Sequence, residues 1–218
     1  MLGLLDVLIL AVLLALVTVA WNSKEGWSSF AEEDEDMRFT GSTLGGNVLS
    51  GERRGHPVLV QTESRHEGNH RMNYTVYEVD LQYSVPIHLT LKPESLGDEV
   101  GKAFGTEDIQ VGDPAFDETF IVQSHNPEEA RRFLQRDGIR EAFLDLHEAH
   151  PGFTLERGRL EVDYEGTADS EETLQEYLEP LLDAADRLEA AGGSETWGRS
   201  VAEDDGIADE KGDGAAEW

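Results

Sequence analysis

The chain has 218 residues, with 46 Asp and Glu against 17 Lys and Arg, a formal net charge of −29. Cysteine is absent, which excludes disulfides, thiolate metal sites and cysteine nucleophiles. The acidic balance argues against nucleic-acid binding, where phosphates are neutralised by clustered Lys and Arg, and against a basic membrane-surface patch.

The basic residues are 13 Arg and only 4 Lys. An acid-rich, Lys-poor surface is halophile-like, since concentrated salt screens the self-repulsion of such a chain. The length suits one domain with extra segments at its ends.

In chain order, residues 2–21 (LGLLDVLILAVLLALVTVAW) carry one charged side chain, Asp6. As a helix, a run of this length rises about 30 Å, the thickness of a bilayer core. Trp21 stands where an interfacial anchor belongs. The segment reads as an uncleaved single-pass transmembrane helix. Thr18-Val19-Ala20 offers the competing reading, a signal-peptide site, but no Lys or Arg precedes the apolar run. Lys24, Arg38, Arg53 and Arg54 follow it, so the positive-inside rule favours a cytoplasmic C-terminal domain on a cell membrane.

Residues 22–38 contain the run Glu32-Glu33-Asp34-Glu35-Asp36 and read as an acidic, solvated linker. The globular part is expected over 39–192. Strand patterns cover His56 to Glu63, Asn73 to Tyr83 and Ile87, Leu89 and Leu91. In the second of these, Tyr74, Val76 and Glu78 are expected to face one way, and Thr75, Tyr77, Val79, Leu81 and Tyr83 the other.

A short helix is expected over 94–104, then a strand holding Phe116, Phe120 and Val122. Asn126-Pro127-Glu128-Glu129 is a helix start, with Asn126 as cap and Pro127 in the first turn. Gly138 breaks that helix, and a second carries Ile139, Ala142, Phe143 and Leu146 up to Pro151-Gly152. Phe153–Glu156 and Arg159–Tyr164 form a hairpin across Arg157-Gly158. A last helix runs from Ser170 to Gly192-Gly193, with Pro180 expected to kink it. Residues 193–218, acidic and rich in Gly and Ala, read as a disordered tail.

The segment Gly51–Val60, a Tyr-rich strand, and the stretch Asp108–Val122 (DIQVGDPAFDETFIV) followed by the helix Asn126–Arg136 resemble a prokaryotic, halophile-like family of single-pass membrane-anchored proteins of unknown function. The similarity covers about residues 46–190. It implies an extramembrane α+β domain and no particular activity.

Several motifs bear on chemistry. His66-Glu67-Gly68-Asn69-His70 matches H-E-x-x-H. On a helix, His66 and His70 would share a face and bind zinc, with Glu67 as general base of a metallohydrolase. Gly68, Asn69 and the flanking strand patterns instead favour a hairpin loop. His147 and His150 stand three apart at a helix end, where a cation is favoured. Gly97–Ala103 falls short of a phosphate loop, lacking one residue and the terminal Ser or Thr. Asp113, Asp117 and Glu118 can pair as acid and base or meet a divalent cation. Asn73-Tyr74-Thr75 is a glycosylation sequon if the domain faces outward.

The sequence therefore predicts an α+β domain with an antiparallel sheet packed with helices, behind one transmembrane helix. Its preferred function is a non-catalytic interaction or structural module tethered to the membrane through residues 2–21, with an unidentified protein partner and no cofactor. The alternatives are the zinc metallohydrolase at His66, Glu67 and His70, and a small-ligand or lipid binder enclosing an apolar cavity.

Overall fold

Period-two alternation builds the long strands, and tight two-residue turns set their register. The computed structural model describes residues 25–41, 46–68, 70–81, 85–96 and 108–192. Strands β1 (Met37–Gly41), β2 (Asn47–Arg53), β3 (His56–Glu67), β4 (His70–Asp80), β5 (Thr90–Pro93), β6 (Phe120–Gln123), β7 (Thr154–Glu156) and β8 (Arg159–Glu165) form one antiparallel sheet in the order β1-β2-β3-β4-β8-β7-β5-β6. The helices are α1 (residues 25–32), α2 (Pro114–Thr119), α3 (Pro127–Leu134), α4 (Ile139–Ala149) and α5 (Glu171–Gly192). The expected class, α+β with an antiparallel sheet packed with helices, is the observed one.

Arg54 and Gly55, and again Arg157 and Gly158, take positive φ. Each pair makes a turn whose twist matches that of the strands it joins. The helices cover one face of the sheet. Val58, Val60, Tyr77, Val79, Leu91, Leu155, Leu160 and Val162 point into that side and share a core with Phe133, Phe143, Leu146, Leu178, Leu181 and Leu182. α5 lies over β4 and β8 and runs through Pro180 as a single helix. The alternate residues, among them Leu59, Gln61, Glu78, Glu161 and Asp163, face away from the helices.

Four local expectations are revised. Phe116 lies in α2, not in a strand. Asp113 accepts from Phe116 N (3.4 Å) and Pro114 follows it in the first turn, so the segment starts as a helix and becomes strand only at Phe120. Ile87 sits in an exposed turn ahead of β5. Of the helix expected over 94–104, the described part is a 3-10 turn, Glu94–Leu96, and the remainder falls outside the described residues. Finally, the acidic stretch expected as a linker over 22–38 holds α1 and the start of β1. Trp27 and Phe30 are fully buried, and Trp27 Nε1 donates to Ala168 O (2.8 Å). Two large aromatic side chains outweigh the polar composition around them.

Residues 2–21 and 193–218, expected as transmembrane helix and tail, lie outside the described residues, as does the Gly97–Ala103 motif. Among the described residues, no helix is long and apolar enough to cross a membrane.

Candidate functional site

The H-E-x-x-H segment is the tip of the β3–β4 hairpin. His66 and Glu67 end β3, Gly68 turns with φ +59°, and His70 opens β4. The register pairs Glu67 with His70 and His66 with Arg71. Residues directly opposite share a sheet face and successive residues alternate, so His66 and His70 point to opposite faces. The helical i, i+4 alignment that a zinc peptidase takes from this motif is absent from the segment. Both histidines are exposed.

Other singled-out residues are engaged in holding the fold. Asp113 caps α2 and pairs with Arg140 Nε (3.1 Å). Asp117 accepts from Val111 N and Gly112 N, both at 2.9 Å. Glu118 is exposed. His150 is buried, stacked on Tyr177 (4.8 Å between ring centroids, 13° between planes), and its Nε2 lies 3.1 Å from Tyr177 O, to which it donates as Nε2–H. Burial holds its pKa below the usual imidazole range, against the raising effect of that carbonyl bond. His147 instead meets the edge of Phe120 (5.3 Å). The two histidines at the end of α4 thus serve separate contacts. Asn73 is exposed on β4 and accepts from Ser64 Oγ (2.6 Å).

Tertiary structure assembles three groupings with no local signature. The first is a cleft of about 240 Å³ lined by Ile87, His88, Ser124, His125, Glu156 and Arg157, with the two imidazoles edge to face at 5.2 Å. Its histidines come from the turn before β5 and the loop after β6. The second joins the β2–β3 turn to α5. Arg53 pairs with Glu179 (3.1 Å), and Arg54 with Glu179 (3.2 Å), Asp183 (2.7 Å) and Asp186. His56, fully buried, sits 2.9 Å from Asp186 Oδ1 and 3.5 Å from Glu189 Oε1. The bonds from His56 and Arg54 hold Asp186 below the usual carboxylate range, overcoming the opposing desolvation.

The third grouping lies on the open face of the sheet. Arg159 reaches Glu78 and Asp80, and Arg65 reaches Glu63 and Asp163 while lying over the Tyr74 ring (5.0 Å). Glu78 and Glu161 are directly opposite in the register. Partial burial raises both carboxyls above their ordinary values; Arg159 opposes this at Glu78 and Arg65 at Glu161. Among the described residues, no three His, Asp or Glu side chains converge to hold a metal ion.

No protein-family model matches the chain, and neither a curated protein nor a solved structure matches it.

Proposed function

We propose that the chain is a membrane-tethered, non-catalytic domain that presents its surface to a protein partner, in an acidic, halophile-like protein of the kind it resembles. The observation that carries this reading is the place where the packed structure begins. Trp27 is bonded into the core at Ala168, and only residues 22–26 separate it from the apolar run ending at Trp21. With residues 2–21 in a bilayer, the domain is held against that bilayer and turned in a set direction. Three of the side chains singled out for chemistry support the same reading. Asp113, Asp117 and His150 are taken up by caps, backbone bonds and an aromatic stack.

The test is extraction of native membranes, followed by crosslinking of the full chain in place. The expected result is that the chain stays with the membrane at high pH, leaves only with detergent, and crosslinks to a recurring protein. Release by high pH alone overturns the tether. Retention without any recurring partner overturns the interaction role. Protease access to the C-terminal domain in sealed vesicles tests the cytoplasmic placement.

A further inference from the structure

We infer that the β3–β4 hairpin is an arm that touches anionic lipid headgroups of the bilayer holding residues 2–21, an inference that rests on the tethered reading above. Three features of the fold converge on it.

The first is direction. α1 enters the fold at Gly26, where an added Cβ would sit 2.9 Å from Ser170 Cα. Trp27 is bonded to Ala168 O (2.8 Å), and Ala168 N donates to Thr75 Oγ1 (3.0 Å). The entry of the chain is therefore fastened to the root of the hairpin. α1 then runs toward the opposite end of the sheet, where the Arg53 guanidinium lies 4.7 Å from the Phe30 ring centroid. The hairpin tip and the start of α1 therefore lie toward the same end of the domain.

The second is reach. Pairing with β2 stops at Gln61 and pairing with β8 stops at Tyr74. Gly166 N still donates to Asn73 O (2.8 Å), and beyond it, among the described residues, the ribbon continues without a neighbouring strand through three rungs, from Arg65 opposite Met72 to Glu67 opposite His70. At the rise of a strand, His70 stands about 17 Å beyond Thr75. α1 begins at residue 25, so the tether from Trp21 to that point spans at most about 14 Å when fully extended. An arm at least as long as the tether, lying toward the same end, reaches the level at which the apolar run ends.

The third is chemistry. One face of the ribbon carries Ser64, His66, Arg71 and Asn73, all exposed and none acidic. Arg71 has no carboxylate partner among the described residues, whereas Arg53, Arg54, Arg65, Arg140 and Arg159 each have one. A free guanidinium matches a phosphate with two parallel hydrogen bonds. The acids Glu165, Asp169, Glu171 and Glu172 stay at the root of the arm. The arm's length exceeds the roughly 8 Å over which charge is felt at physiological ionic strength. It carries Arg71 beyond those root acids, with Glu67 as the one acid in the adjacent rung at the tip.

Absence of cysteine makes the test direct. The full chain is reconstituted into vesicles of phosphatidylcholine alone or mixed with phosphatidylglycerol, and a fluorophore is placed on H70C or, as control, on D137C. Asp137 is exposed near the far end of α5, beside the Arg136–Gly192 contact. The readout is quenching by a headgroup-attached quencher. We expect quenching at residue 70 several times that at residue 137 in the anionic vesicles, weaker in the neutral ones, and reduced about tenfold by Arg71→Glu. Equal quenching at both sites, with the chain still in the vesicle fraction, overturns the arm and leaves the tether standing. Strong quenching at residue 70 that ignores both lipid charge and Arg71→Glu overturns headgroup recognition. A chain that fails to float with vesicles overturns the tether and the arm together.

Discussion

Tyr77 and Glu78 are neighbours in β4 and almost equally buried, at 0% and 7% exposure, yet opposite physics covers them. Tyr77 faces the helices, stacked on Tyr177 (5.3 Å) amid apolar side chains. Glu78 faces outward, shielded by Arg159 and by the rows of charged residues beside it. Val76 shows the same outward burial: it is 2% exposed yet lies outside the main core cluster. The helix-covered face is closed by shape and apolar area. The open face is closed by charged side chains lying flat on the sheet, which hold their place only while their partners remain.

That contrast is broken most severely from the covered side. Phe143→Ala removes a fully buried ring packed against Phe153 and Phe116, and is expected to cost about 3–5 kcal/mol in urea unfolding. Trp27→Ala is expected to cost a comparable ~3 kcal/mol or more, because it also removes the bond to the Ala168 carbonyl. If it costs nothing, residues 25–38 behave as a linker after all.

On the open face, Arg159→Met keeps the aliphatic cover but leaves Glu78 without its cation. With Arg159 itself part-exposed, the expected loss is about 1–2 kcal/mol at neutral pH. It should shrink when Glu78→Gln is added, which a double-mutant cycle measures.

Tyr77→Phe sharpens the comparison from within. The Tyr77 hydroxyl is buried with no hydrogen-bond partner among the described residues, and burial pushes its pKa well above the ordinary phenol range. Losing an unsatisfied hydroxyl is expected to raise stability by up to about 1 kcal/mol.

The pH dependence separates the faces too. Glu78 and Glu161 have raised carboxyl pKa values, so the folded chain binds more protons than the unfolded chain above pH about 4.3. Their contribution to stability therefore falls as pH rises from there through the folded pKa values. His150 on the covered side acts in the opposite sense. With its pKa lowered, the unfolded chain takes up the extra proton first, and stability is lost as pH falls below about 6.5. Glu161→Gln is expected to raise the urea midpoint at pH 7 more than at pH 5. An equal shift at both values refutes the burial account. The smallest effect belongs to Arg71→Ala on the arm, within about 0.5 kcal/mol, as for a surface residue without partners.

Much of this architecture is legible in local sequence because its causes are local. Asn126 caps α3 by accepting from Glu129 N (3.3 Å), Pro127 occupies the first turn, and the Arg157-Gly158 turn closes the β7–β8 hairpin. The faces of β4 follow from alternation alone, with Thr75, Tyr77 and Val79 on one side and Val76 and Glu78 on the other. The candidate sites were less legible. His88 and His125 meet only because β5 and β6 pair, and the Arg53–Arg54 cluster forms only because α5 crosses the end of β2 and β3. Neither contact has a spacing that a linear motif can express.

The sequence by itself determined the apolar run of 2–21, the acidic charge, the caps and turns, and the alternation that makes an antiparallel sheet, because each depends on residues within a few positions of one another. Tertiary structure decided the rest. Trp27 and Phe30 stand in a mostly polar stretch, and the Trp27 indole bonds to Ala168 O, 141 residues away. The hairpin at His66–His70 was already legible from Gly68, Asn69 and the flanking strand patterns, and what the fold added is its register, ten residue pairs from Val58–Val79 to Glu67–His70. The placing of α1 beside the root of β4 is a matter of packing between distant segments, since it arises from contacts between α1, the loop before α5 and β4.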